Sequence, residues 1–234
     1  MWGRYILGLP DGQEQGVPTL KSSLKTNAAH KCAFQLITLP VGEWSTNCYV
    51  LISGGEGIIV DPAAEPERIL ATIGGTRLRA ILLTHGHPDH VQALDAVRQA
   101  TAAPSGLHPA DAAEFGIVGD FDLNDGDVLT LEGGELTVVH TPGHTPGSVC
   151  FRFGRCAVVG DTLFPGGPGH SKTPEALAQI LASLQDKVFT WPDDTVFYPG
   201  HGEGSTIGAV RPAFEAFMAR PRPPELCGDV EWVN

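Results

Sequence analysis

The sequence predicts an α/β protein in which two β-sheets pack face to face with helices outside, an αββα sandwich. Two observations carry this expectation. Strand-like and amphipathic helix-like segments interleave in two groups along the 234 residues. Polar residues, mainly histidine and aspartate, close several strand-like runs in turns rich in glycine and proline, where α/β folds build their sites.

The expected strands cover residues 33–39, 47–53, 57–61, 79–84, 105–108, 135–140, 148–153, 156–160 and 195–198. Short apolar runs such as Gly57-Ile-Ile-Val60, Ala80-Ile-Leu-Leu83 and Cys156-Ala-Val-Val-Gly160 suit buried strands. The expected helices cover 65–73, 89–101, 109–115, 173–186 and 208–218. Leu177, Ile180, Leu181 and Leu184 follow helical spacing, and Thr173-Pro174-Glu175 is a good helix start. Residues 1–32 are polar and carry Lys21, Lys25 and Lys31. They are expected to form an arm outside the domain of residues 33–234, packing on that domain or joining a second copy into a homo-oligomer.

Composition narrows the function. Hydrophobic residues make up 42% of the chain, enough for a large single core. No run approaches the length of a membrane span, and the N-terminal apolar stretch is too short for a signal peptide. The five cysteines (Cys32, Cys48, Cys150, Cys156 and Cys227) form no Cys-x-x-Cys pair, which suggests reduced thiols and a cytoplasmic location. A net charge of −12 disfavours a nucleic-acid partner.

The chemistry concentrates in Thr84-His-Gly-His-Pro-Asp-His90. His and Asp are donors for zinc, iron or manganese, and no cysteine lies near to make a closed structural zinc site. On extended chain His85 and His87 face the same way, whereas Pro88 opens a helix that turns Asp89 and His90 aside. One segment can thus feed two metals. His144, Asp161, His201 and Asp61 each lie at or just after the C-terminal end of another expected strand. Asp61 is read as supporting the metal loop from behind, by accepting N–H groups or a ligand histidine.

This Thr-His-x-His-x-Asp-His run, with the later His, Asp and His, resembles the metallo-β-lactamase superfamily from about Phe34 to Gly208. The resemblance implies one metal on His85, His87 and His144, a second on Asp89, His90 and His201, and Asp161 bridging both. Asp89 and His90, where antibiotic-hydrolysing members differ, look like the glyoxalase II branch, the hydroxyacylglutathione thioesterases. The implied activity is hydrolysis of a small thioester or ester by a metal-bridging hydroxide. Two divalent ions, zinc first and iron or manganese as alternatives, would supply it, with Asp89 and Asp161 orienting the nucleophile. Residues 202–234 leave room for one helix and a Pro-rich end, so the C-terminal domain that binds glutathione in longer relatives is not expected. Gly166-Gly-Pro-Gly-His-Ser-Lys172 also departs from the Gly-Arg-x-Asp usual there. His170 is a candidate to line the pocket, and Lys172 to clamp a substrate carboxylate. His140 and His108 are weaker candidates, and Asn47 is read as satisfying a turn or the core.

Two alternatives stay open. Persulfide dioxygenases, which bind one iron through the equivalents of His85, His144 and Asp161, resemble the chain around Lys187–Asp193. Pro199-Gly-His-Gly-Glu-Gly-Ser-Thr206 looks like the hydrolase form instead. Lactonases and other esterases of the same superfamily fit the same ligands.

Overall fold

The computed structural model describes residues 34–233. The first sheet holds β1 (Gln35–Val41), β2 (Thr46–Ser53), β3 (Glu56–Val60), β4 (Arg77–Leu82), β5 (Ser105–Leu107) and β6 (Phe121–Asp122), in that order. Its first three strands are antiparallel, joined by hairpins, and β3 to β6 run parallel. The second sheet uses β7 (Val128–Leu131), β8 (Gly134–His140), β9 (Val149–Phe153), β10 (Cys156–Gly160), β13 (Val196–Pro199) and β14 (Ser205–Thr206), in the order β14-β13-β10-β9-β8-β7. A small hairpin of β11 (Leu163–Phe164) and β12 (Gly167–Pro168) follows β10.

Strand alternation builds the layers. In β3, Ile58 and Val60 face the second sheet and Ile59 faces away; in β10, Cys156 and Val158 face inward and Ala157 and Val159 outward. Between the sheets, Tyr49, Leu51 and Leu82 meet Val138, Phe151 and Phe153. Outside the first sheet, α1 (Pro66–Ile73) and α3 (Leu94–Thr101) cover Ile59, Ile81 and Leu83. Outside the second, α5 (Pro174–Asp186) and α6 (Ile207–Ala219) cover Ala157, Val159 and Phe197. The αββα sandwich is therefore the observed fold. Thr173 caps α5 by accepting from Ala176 N, as its Thr-Pro-Glu start suggests.

Several elements differ from expectation. The helix expected over 89–101 is two, α2 (Pro88–Val91) and α3. It breaks because Ala93 N donates to Pro62 O across the layer instead of to its own helix, while Ala93 O starts the next one. Strands β6 and β7 were not expected. β6 is two residues long, and β7 is an edge strand whose Val128 is half exposed. Cys48 and Cys150 are buried free thiols and Cys227 an exposed one. Cys156 is not among the free thiols, so the expectation of five reduced cysteines does not extend to it; Cys32 lies outside the described residues. The arm of residues 1–32 also lies outside them. Among the described residues, no helix is long and apolar enough to cross a membrane.

Candidate metal centre

The site sits at the C-terminal ends of β3, β4, β10 and β13. After β4 the chain stays buried through Leu83 and Thr84, then presents His85, Gly86 and His87 before Pro88 opens α2. Asp61 follows β3 in a left-handed conformation (φ 52°), one that aspartate tolerates better than most residues. Asp161 follows β10 directly after Gly160, whose φ is 49°. A Cβ on Gly160 would stand 2.5 Å from Thr84 Oγ1, so only glycine lets these two loops close on each other.

Four imidazoles have one ring nitrogen engaged away from the site. Thr84 Oγ1 donates to Asp61 Oδ2 at 2.6 Å and lies 3.0 Å from His85 Nδ1, whose N–H it accepts. His90 Nδ1 donates to Asp61 Oδ2 at 3.0 Å, His144 Nδ1 to His170 O at 2.9 Å and His201 Nδ1 to Trp44 O at 3.2 Å. These donations, assigned from the hydrogen-bond network, point each Nε2 into the site, where it can offer its lone pair to a metal once it carries no proton. Three groups of possible ligands result: His85, His87 and His144; Asp89, His90 and His201; and Asp61, His85 and His90. The third is the weakest. Asp61 already accepts from Thr84 N (2.7 Å), Thr84 Oγ1 and His90 Nδ1, so its oxygens are spent on orienting neighbours.

Asp161 lies between the first two groups. Its Oδ1 is 3.5 Å from His90 Nε2, and its Oδ2 is 3.7 Å from both His144 Nε2 and His201 Nε2. Asp89 Oδ2 is 3.3 Å from His201 Nε2 and 3.7 Å from His90 Nε2. In the first group, His87 Nδ1 and His144 Nε2 converge to 2.9 Å.

A divalent metal fits this donor set. His85 Nε2, His90 Nε2 and Asp161 Oδ1 are buried without a hydrogen-bond partner. Each such orphan costs about 1–3 kcal/mol, and three on neighbouring side chains are hard to sustain unless a cation satisfies them. An all-His/Asp set suits zinc, iron or manganese.

Electrostatics divides the two groups. Burial holds His85 well below the usual histidine value and brings His144 down to about 3. His87 is lowered too, by burial and then by Lys172. His90 is opposite: burial opposes its charge, but the Asp61 hydrogen bond and the charges of Asp61, Asp161 and Asp89 outweigh burial and raise it to about 9. His201 is raised by its hydrogen bond to Asp89, and the same bond draws Asp89 down to about 2. Burial lifts Asp161 above the usual carboxylate range.

The seven expected ligand residues thus come together. The substrate candidates fare differently. Lys172 is exposed, 3.6 Å from Glu114 Oε1 and 6.0 Å from the Phe115 ring centre, and that ring packs 5.3 Å from His87. Lys172 therefore flanks the first group. The His170 ring pairs with Asp229 (3.0 Å), and it is its carbonyl that serves the site, holding His144. Stacking of His108 on His140 (4.0 Å between ring centres) keeps both rings out of the ligand groups.

Sequence reading missed how the His201 loop is fastened. Asn47 Nδ2 donates to Pro199 O (3.0 Å) and Gly202 O (2.9 Å), Asn47 N donates to Gly200 O (2.7 Å), and Tyr49 OH donates to Pro199 O (2.5 Å). A buried asparagine in an apolar strand was the available signal. Asp111 was missed altogether, and its signal was masked by its place in the first turn of a helix, α4 (Pro109–Phe115), where acids are common.

The sequence model described as the metallo-beta-lactamase superfamily matches residues 41–201. The chain belongs to that superfamily. It is 32% identical over 194 residues to hydroxyacylglutathione hydrolase GloC of Haemophilus influenzae, covering 73% of this chain and 92% of that one. Among solved structures, BLEG-1, a B3 metallo-beta-lactamase, is 30% identical with a TM-score of 0.68, covering 75% of this chain and 95% of that one. TTHA1623, solved in a di-iron-bound form, is 33% identical with a TM-score of 0.62, covering 74% of this chain and 96% of that one.

Proposed function

We propose that this superfamily member is a dinuclear metal-dependent hydrolase acting as a glyoxalase II-type thioesterase on small thioesters. The observation that carries this reading is the pair of ligand groups meeting at Asp161, with three orphaned buried atoms among them. His85, His87 and His144 would hold one ion, Asp89, His90 and His201 the other, and Asp161 would be shared. Similarity to GloC supports the thioester class, and the di-iron form of TTHA1623 supports two ions while leaving iron as open as zinc or manganese. When bound, such ions supply Lewis acidity and bring the pKa of water toward neutrality.

The chain's own groups do the rest. Asp89 and Asp161 are the catalytic carboxylates: they balance the cationic charge and accept hydrogen bonds from an attacking water, fixing its lone pair toward the substrate carbonyl. Asp89 also borders a cleft of about 220 Å³ walled by Val41, Trp44, Ala63, Ala64 and Gln92, with room for an acyl group. Lys172, on the opposite flank, attracts a substrate carboxylate. The leaving group departs as a thiolate, and because the thiol's pKa is only about 8.5 no strong general acid is needed.

The net charge of −12 supports the absence of a nucleic-acid partner; a cytoplasmic location, no membrane partner and self-association through residues 1–32 belong to the same proposal. The test is metal analysis of freshly purified protein together with thioester-hydrolysis and persulfide-dependent oxygen-uptake assays. The reading expects close to two ions and thioester cleavage. One iron per chain with oxygen uptake would replace it with a dioxygenase, and cleavage of lactones or other esters alone would move it to that branch.

A further inference from the structure

Asp111 is fully buried in the first turn of α4 and belongs to none of the ligand groups. Its Oδ2 accepts from Gly86 N (2.8 Å) and Thr145 Oγ1 (2.8 Å), and its Oδ1 from Gly147 N (2.6 Å). One donor lies between His85 and His87; the other two flank and follow His144. A single carboxylate therefore staples together the two loops that present the three-imidazole group.

The surroundings are shaped around it. A Cβ on Gly147 would stand 2.6 Å from Asp111 Oδ1, and one on Gly86 would strike the Phe115 ring at 2.3 Å. Both backbones approach this closely only as glycine. Two of the three partners are main-chain N–H groups, which can only donate, and the Thr145 hydroxyl donates the third bond, so Asp111 acts as an acceptor to all three. Among the described residues no basic side chain pairs with it. A buried charge without a counter-ion is costly, and a cation nearby in a low-dielectric interior offsets that cost.

The fold repeats this device. Thr84 N donates to Asp61 and Gly86 N to Asp111, so alternate amides of the metal-binding segment are taken by two buried carboxylates. Asp61 also orients His90, from the second group. Asp111 is the corresponding support for the first group, whose own ligands include no carboxylate apart from the shared Asp161.

We propose that Asp111 is a positioning residue for the ion held by His85, His87 and His144, tying their two loops into register and placing a fixed negative charge beside an otherwise neutral group. The proposal rests on the metal reading above. Metal-free protein titrated with Co(II), followed by visible absorption and by competition with a chelator, tests it. In Asp111→Asn, which keeps the shape but removes the charge and turns one acceptor oxygen into a donor, the first ion should bind about 10–100-fold more weakly, with the second within about twofold of wild type. Thr145→Val, which removes one donor and keeps the charge, should weaken the same ion by less. A purely structural Asp111 would lower the thermal midpoint of the metal-free protein while both ions bound as in wild type. That outcome, or equal weakening of both ions, overturns the proposal. If Asp111→Asn does not fold, unchanged first-ion affinity in Thr145→Val overturns it. Failure of wild type itself to bind Co(II) would instead refute the metal reading.

Discussion

The two ligand groups share Asp161 but are prepared for metal in opposite ways. His85, His87 and His144 are all shifted down, mainly by loss of solvent; His85 and His144 are buried and held by partners that fix their tautomers. Asp89, His90 and His201 form a charged network, with Asp89 and His201 partly open to solvent and both histidines raised by carboxylates. In the first group burial favours the neutral rings that a metal needs, with His85 Nε2 unpartnered and His87 and His144 sharing a hydrogen bond that a metal would replace. The second holds protons where metal would bind. Burial keeps histidine lone pairs unprotonated and so available to a metal, whereas carboxylates near histidine add charge for the metal but make its binding dependent on pH.

The difference breaks first at the shared residue. Asp161→Ala should lower kcat by at least about 100-fold, the scale of losing one major electrostatic stabiliser. Near-normal turnover in metal-replete Asp161→Ala protein would remove it from the junction of the two groups.

Asp61→Ala should separate the groups by binding. It frees His90 Nδ1 and the Thr84 amide, so the second ion should bind about 10–100-fold more weakly by chelator competition, with the first less affected. Equal weakening of both ions would mean that Asp61 supports the whole segment and not His90.

pH should separate them again. In the metal-free protein His90, raised to about 9, holds a proton at pH 7 that a metal must displace, and His201 is shifted in the same direction. Apparent affinity at the second group should therefore fall as pH drops below about 9, by about tenfold per unit for each proton displaced. His144, brought down to about 3, and His85 and His87, both shifted down, favour their neutral forms, so first-ion affinity should fall less than second-ion affinity as pH drops. Calorimetry in buffers of different ionisation enthalpy reads the released protons directly. Equal proton release at both steps would erase the distinction.

The smallest expected effect lies at the rim. Lys172 is exposed and already shared with Glu114, so Lys172→Ala should raise KM for acidic thioesters by about two- to fivefold, leave kcat unchanged and spare neutral substrates. Unchanged KM for acidic thioesters would place the carboxylate contact elsewhere.

What was legible in the sequence follows the range of the interactions. The segment Thr84–His90 and the strand-end positions of His144, Asp161 and His201 stood out because ligand type, turn chemistry and apolar runs are local signals. The α2–α3 break was not legible, because Ala93 leaves its helix for Pro62 O, thirty-one residues earlier (93 − 62). Asp111 was not legible either: its partners lie 25, 34 and 36 residues away, and its position suits an ordinary helix start. His170 shows a third limit, since what it gives the site is its main-chain carbonyl and not its ring.

The central claim is that both groups hold metal at once. Metal content of the fully reconstituted wild type and of His201→Ala tests it most directly. The account predicts close to two ions per chain in the wild type and about one in the variant, with the remaining ion bound at wild-type first-site affinity. A single ion in both proteins would contradict it.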